Sequence, residues 1–297
     1  MCTVSTDQLK HNRDTLFIIG NGFDLHHNIS SSYADFHNWL LSNDYSHFVK
    51  QLEFIFHRSA DIDLWSDFES ALGNYDCDSL YHEYADDIEI DYDHMMRTTA
   101  QKEDATISAI GGILEDIRPI FAKWIASIDI KNIKPKLTLP QEAKYITFNY
   151  TQTLEEVYRI PTNNILHIHG GADGYEDIVV GHDNIVDPNS VYSEKETEFY
   201  EENGKKQIIE AMNELFKDVE EVMNRHINIF KSLSNIRHVV TYGHSLSDID
   251  KPYFKLIKGS ICPDTEWFFY KHSKKDCDRI KAMINDIGIR KWHTFSF

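Results

Sequence analysis

Leu16-Phe17-Ile18-Ile19-Gly20-Asn21-Gly22-Phe23-Asp24 sets a short apolar run against a Gly-x-Gly turn and an acid. A buried parallel strand reads this way when it ends at a nucleotide-binding crevice. Glycine at 20 and 22 permits positive φ and lets a ligand approach the backbone. Asn21 can turn the chain, and Asp24 places a carboxylate beside the turn. The third glycine of the dinucleotide fingerprint is absent, so the motif alone also fits a plain strand-to-loop junction. What recurs further along the chain changes that balance.

The chain has 297 residues, 41% of them hydrophobic, and a mean hydropathy of −0.45. That is enough for a single α/β domain over 1–297 carrying a sizeable insertion. No run approaches the roughly 18 apolar residues of a membrane-spanning helix. Residues 1–14 read as a mobile polar lead-in without a signal-peptide core. Cys2, Cys77, Cys262 and Cys277 are scattered, with no C-x-x-C pair, so neither a zinc ribbon nor a disulfide framework is expected and a reduced, cytoplasmic setting fits. The formal net charge of −18 repels phosphate backbones, which argues against DNA or RNA as partner.

Strand one is expected over 15–20. Ser30, Ser31 and Ser32 offer N-caps for a helix through Tyr33, Phe36, Trp39 and Leu40. Residues 45–132 show no strand alternation and read as a helical insertion beside the sheet, with an acidic loop over Asp86–Asp93. The stretch Ile107–Ile128 is amphipathic, locally weakened by Gly111-Gly112. Further strands are expected at Tyr145–Asn149, Ile165–His169, Asp177–Asp183, Ile236–Tyr242 and Thr265–Tyr270, with a closing edge strand at His293–Phe297. Helices are expected within 193–232 and over Asp276–Ile287. The alternation of strands and helices predicts an α/β fold, Rossmann-like, with a mostly parallel sheet.

In such a sheet, ligands bind beyond the carboxyl ends of the strands. Five of those ends are polar: Gly20-Asn21-Gly22-Phe23-Asp24, Asn149-Tyr150-Thr151, His167-x-His169-Gly170, Gly181-His182-Asp183 and Gly243-His244-Ser245-Leu246-Ser247-Asp248. Ile18-Ile19-Gly20-Asn21-Gly22-Phe23-Asp24-Leu25, Trp65-x-Asp67-Phe68-Glu69, Phe148-Asn149-Tyr150-Thr151, His167-Ile168-His169-Gly170 and Tyr242-Gly243-His244-Ser245-Leu246-Ser247-Asp248-x-Asp250 form a set that resembles the bacterial abortive-infection AbiH phage-defence family. Its order is also similar, distantly, to sirtuin-like NAD-consuming domains. They share a Gly-x-Gly turn, a Thr147-Phe148-Asn149-Tyr150-Thr151 strand end, a His169-Gly170 pair and a later Gly243-His244-Ser245-Leu246. Two positions depart from that pattern: Thr151 stands where an aspartate is expected, and Asn21-Gly22-Phe23-Asp24 where Ala-Gly-x-Ser is.

The resemblance implies a sirtuin-like fold, a nucleotide as small-molecule partner, a phage-derived trigger and self-association, with NAD as substrate and no other cofactor. Cleaving its nicotinamide–ribose bond builds oxocarbenium-like charge on the ribose, and the leaving group is already cationic. The protein must then position the ribose, stabilise the cation and direct water. His169 would accept a proton, Asn149 would hold a water or a ribose hydroxyl, and Asp24 would stabilise the positive charge or stand in for the missing aspartate. Gly20, Asn21, Gly22 and Ser245 would meet the pyrophosphate, with Phe23, Thr151, Gly243, His244 and Asp248 completing the nucleotide-facing set. Each has a plain alternative: a core histidine at 169, loop or helix capping at Asn149, Asp24 and Ser245.

Two further readings stand beside this one. His167 and His169 on one strand face, completed by His182, Asp183, His244 and Asp248, would suit a metal-dependent hydrolase. A crevice that binds a nucleotide without turnover would make a sensing module, the acidic insertion being its partner surface. Glu69 is expected in a salt bridge rather than in the crevice.

Overall fold

The computed structural model describes residues 13–56, 63–85, 91, 93, 95–171, 178–191 and 199–296. Six strands, β1 (Thr15–Ile19), β2 (Lys144–Thr147), β3 (Ile165–His167), β4 (His238–Tyr242), β5 (Glu266–Tyr270) and β6 (Trp292–Phe295), form one sheet in the order β3-β2-β1-β4-β5-β6. Every pairing is parallel. This is the doubly wound Rossmann order, which reverses direction between β1 and β4 and so opens its crevice beyond their carboxyl ends. The described helices are α1 (Gly22–His26), α2 (Tyr33–Ser42), α3 (Ser46–Phe56), α4 (Phe68–Leu72), α5 (Cys77–Ala85), α6 (Met95–Ser127), α7 (Thr153–Glu156), α8 (Phe199–Asn213), α9 (Val219–Arg225), α10 (Ile227–Lys231), α11 (Lys251–Ser260) and α12 (Lys274–Ile287).

The backbone divides into two compact units. One holds the sheet and comprises residues 1–32, 125–179 and 218–297; the other comprises 33–124 and 180–217. The helices of 33–124 thus group with residues 180–217, although no local pattern separates 180–217 from the α/β part.

In the sheet unit β1 is buried along its whole length, as a central parallel strand must be. Its side chains alternate between two cores. Leu16 and Ile18 join Ile146, Val239, Trp267 and Phe269 under Phe230 of α10, Phe254 and Ile257 of α11, and Ile280, Met283 and Ile284 of α12. Phe17 and Ile19 join Phe23, Tyr145, Val240, Tyr242 and Phe268 with Leu154 and Tyr158. Helix α12 starts two residues before the expected point because Ser273 and Asp276 form a reciprocal capping box, and it ends at Gly288, whose φ of 67° suits a left-handed cap.

The second unit is built on aromatic contacts. Phe36 of α2 lies 5.3 Å from Phe121 and 5.0 Å from Trp124, both on α6. Helix α6 runs through Gly111-Gly112 without a break. Two glycines weaken a helix by about 1 kcal/mol each, whereas every large apolar side chain fully buried on its inner face gains roughly 1.5–3 kcal/mol, so packing overrides local propensity. A Cβ at Gly112 would meet nothing within 4 Å. Gly112→Ala is therefore expected to raise the free energy of unfolding by about 0.5–1 kcal/mol, read as a higher urea midpoint at unchanged slope.

Several expectations need correction. Asp177–Asp183 is not a strand: Asp177 lies outside the described residues, and Ile178–Gly181 forms no ladder. Val179 N–H donates to His169 O at 2.9 Å, but pairing stops there. His182 makes a single bridge to Phe216. There Gly181 packs on the Leu215 backbone, so closely that a Cβ would sit 2.0 Å from the Leu215 carbonyl oxygen. Strands β2 and β3 end two residues early: Thr147 Oγ1 accepts from Asn149 N–H at 3.1 Å just after β2, and Gly170 N–H donates to His167 O at 3.3 Å in a turn just after β3. Leu64 and Trp65 precede α4 rather than joining it; Asp67 caps that helix by accepting from Ser70 N–H. The acidic loop of 86–93 lies mostly outside the described residues, as do residues 1–12 and 193–198. Among the described residues no helix is long and apolar enough to cross a membrane.

Candidate functional site

The loops after β1 and β4 pack directly on each other. A Cβ on Gly20 would lie 2.5 Å from His244 Cα, one on Gly22 2.8 Å from Gly243 Cα, and one on Gly243 2.2 Å from Phe23 N. Glycine is required at these places because backbone meets backbone. Gly20 N–H donates to Tyr242 O at 3.0 Å and Gly22 N–H to Gly243 O at 2.8 Å. The donors expected to meet a pyrophosphate are thus already engaged between the loops. Asn21 also turns aside: its amide donates to Ser31 O at 2.8 Å and accepts from Ser31 Oγ at 2.6 Å. Phe23 is core, ringed by His27, Tyr158 and Tyr242. Ser245 and Asp248 are exposed, and Asp248 pairs with Lys251 at 2.9 Å.

Two polar clusters gather at the strand ends instead. The first surrounds Asp24, which is 0% exposed. It does not cap a helix. Its Oδ2 accepts from Thr151 Oγ1 at 2.5 Å, and Thr151 Oγ1 lies 3.0 Å from Thr153 Oγ1. Burial raises the Asp24 carboxyl above the ordinary carboxylate range; Thr151, Thr153, Asn149 and the charge of His167 pull part of the way back. Asp24 Oδ1 and Asn149 Oδ1 are both buried and have no hydrogen-bond partner among the described residues. An orphaned buried acceptor costs about 1–3 kcal/mol, so these two call for a ligand or ordered water to supply donors. His167 stands behind them, with Nδ1 3.0 Å from Asn149 O and Nε2 2.7 Å from Glu155 Oε1. Both partners are acceptors, an arrangement that a doubly protonated ring satisfies.

The second cluster surrounds His169, which is 4% exposed. Its Nε2 lies 3.9 Å from Asp250 Oδ1, and His244 Nε2 lies 3.5 Å from Asp250 Oδ2. Ser247 Oγ donates to Asp250 Oδ2 at 3.0 Å. The Phe148 ring fits edge-on against both imidazoles, 5.1 Å from His169 and 4.3 Å from His244. His244 Nδ1 accepts from Leu246 N–H at 2.9 Å, which fixes the tautomer and leaves Nε2–H toward Asp250. Leu246 holds φ at 57°, a left-handed conformation that a leucine adopts only under constraint.

His167 and His169 therefore do not share a face. Strand β3 ends at His167, and the turn at His169-Gly170 sends the second ring toward α11. His182 does not complete a metal set either: its Nε2 meets Met212 O at 3.0 Å and its Nδ1 accepts from Asn184 N–H at 3.2 Å. Among the described residues no group of three His, Cys, Asp or Glu side chains is arranged to hold a metal. Glu69 pairs with Lys217, as expected, at 3.3 Å.

Sequence reading missed Asp250, Glu155 and Thr153. Asp250 had a signal, standing two residues after Asp248 in a motif already singled out. Glu155 and Thr153 had none, because only the fold brings α7 to the strand end.

The family model described as Bacteriophage abortive infection AbiH matches residues 16–271, a span that runs from β1 through β5. No curated protein matches the chain.

Proposed function

The chain belongs to the bacteriophage abortive infection AbiH family, and from that premise we propose that its strand-end site binds a nucleotide, NAD being the expected substrate, and hydrolyses the N-glycosidic bond. Family membership indicates a phage-defence role by abortive infection; loss of a central cofactor would be the means of arrest. The observation that carries the reading is the pair of orphaned acceptors, Asp24 Oδ1 and Asn149 Oδ1, at the crevice end of a Rossmann-ordered sheet. Two neighbouring acceptors suit the two adjacent hydroxyls of a ribose.

The chemistry asks little of the protein besides placement and charge. The nicotinamide leaves as a neutral base and needs no general acid. Asp24 would oppose the positive charge that builds on the ribose, and its contact with Thr151 sets a carboxylate beside the position where the sirtuin-like pattern has one. His169, in the second cluster, would take a proton from the attacking water. A phosphate-binding role for Gly20 and Gly22 is not part of this proposal, because their N–H groups are bonded.

Purified protein mixed with NAD, with and without a phage trigger, is expected to release nicotinamide, and His169→Ala to slow that release by about 10²–10⁴-fold. Absence of release under every condition, with His169→Ala still protecting infected cells, would sink the reading. NAD binding without turnover would favour the sensing module instead.

A further inference from the structure

Asp250 is a buried carboxylate with an imidazole against each oxygen: His169 on Oδ1 at 3.9 Å and His244 on Oδ2 at 3.5 Å. Neither loop makes this arrangement alone. His169 comes from the turn after β3, His244 from the turn after β4, and Asp250 from the single 3₁₀ turn Asp248–Asp250 that leads into α11. A carboxylate beside a catalytic imidazole orients the ring and stabilises the charge it gains on accepting a proton. We infer that Asp250 is the positioning residue of the site: its carboxylate aims the His169 ring and holds the charge that ring acquires, while His244 and Ser247 pin the other carboxylate oxygen. This inference rests on the hydrolytic reading above.

The geometry assigns distinct duties. Ser247 Oγ and His244 Nε2–H both address Oδ2, so the carboxylate cannot rotate freely. The left-handed Leu246 holds its N–H on His244 Nδ1, which keeps His244 neutral and donating. The 3.9 Å gap at Oδ1 is longer than a hydrogen bond and closes once the His169 ring carries a full charge. In the step itself, water forms the new bond to the ribose C1′ and gives its proton to His169. The electron pair of the C1′–N bond leaves on the nicotinamide nitrogen, which becomes neutral. The imidazolium then faces Asp250 in a site with little water, where such a pair counts for more than at the surface.

Among the described residues, ionisable groups near His169 include the phenols of Tyr150 and Tyr253, with ring centroids at 6.3 and 5.7 Å, and His244 behind Asp250. Asp248 and Lys251, on the same turn and on α11, neutralise each other at the surface.

The test is a histidine ring titration by ¹³C–¹H NMR, with the His169 signal identified by its loss in His169→Gln. Asp250→Asn preserves shape and a partner for Ser247, and is expected to lower the His169 midpoint by about one pH unit or more. His244→Leu keeps the carboxylate but removes its competing donor, and is expected to move the midpoint upward. A purely structural Asp250 would leave the midpoint where it was in both variants, and that result overturns the inference. The titration reads the pair whether or not NAD is cleaved, so this outcome and failure of the hydrolytic reading are told apart. If the chain does cleave NAD, the acid limb of its pH–rate profile moves with the midpoint; a limb that stays put also overturns it.

Discussion

Asp24→Asn is expected to abolish nicotinamide release, by at least about 100-fold, while making the protein more stable at neutral pH. The two effects have one cause. Asp24 is fully buried, and desolvation lifts its carboxyl above the value it has in the unfolded chain. A carboxyl raised in the folded state is stabilising, relative to its charged form, only at low pH. As pH climbs past the unfolded value, the unfolded chain releases its proton first and stability falls until the folded carboxyl also ionises. Asparagine has no charge to desolvate and can still accept from Thr151. The urea midpoint of Asp24→Asn should exceed that of the parent, with a gap that widens as pH rises above the ordinary carboxylate range. Keeping a buried carboxylate at a cost in stability is characteristic of sites where the charge is used. A variant that gains stability yet protects cells and turns over NAD like the parent would remove Asp24 from the mechanism.

The legible part of this fold was the part written in local pattern. The apolar run Leu16–Ile19 stopping at Gly20, and the matching run before Gly243, announced buried parallel strands, and each of the six strands overlaps a stretch expected to be one, whereas the described part of 177–183 forms none. The site was legible as a set of residue types at strand ends, and Asp24, Asn149 and Thr151 do meet. What sequence could not give is direction. Strand β3 stops at His167, where Gly170, at a φ of 77°, turns back to donate to His167 O at 3.3 Å, and the sequence run Ile165–His169 does not mark that point. With it goes the expectation that the two histidines share a face. The meaning of the glycines was hidden for a similar reason. Gly20 and Gly22 look the same in sequence whether a phosphate or another loop approaches them, and only the register of β1 against β4 brings Gly243 there. The division into two units was also illegible, since residues 180–217 carry no signal of which part they join.

Glu69→Ala is expected to destabilise the protein by about 3–5 kcal/mol, more than any surface change could. Lys217 Nζ is wholly buried and lies 3.3 and 3.4 Å from the two Glu69 oxygens. Removing the carboxylate takes a counter-charge from an ammonium in a site that water does not reach, which costs more than losing a contact at the surface. Lys217→Met should cost less, because Glu69 is partly exposed and can be solvated. The double variant Glu69→Ala with Lys217→Met should recover much of what Glu69→Ala loses, since a buried pair replaced by apolar groups is close to neutral. Thermal unfolding separates these cases: a fall in Tm of about 10 °C for Glu69→Ala, reversed in large part by the second substitution. The motif Trp65-x-Asp67-Phe68-Glu69 then has a structural meaning throughout, with Trp65 Nε1 donating to Glu53, Asp67 capping α4, Phe68 in the core and Glu69 neutralising Lys217. Its loss should lower protection only in step with the amount of folded protein. Were Glu69→Ala to keep its Tm and lose NAD cleavage, Glu69 would belong to the chemistry, and the boundary drawn here between scaffold and site would have to move.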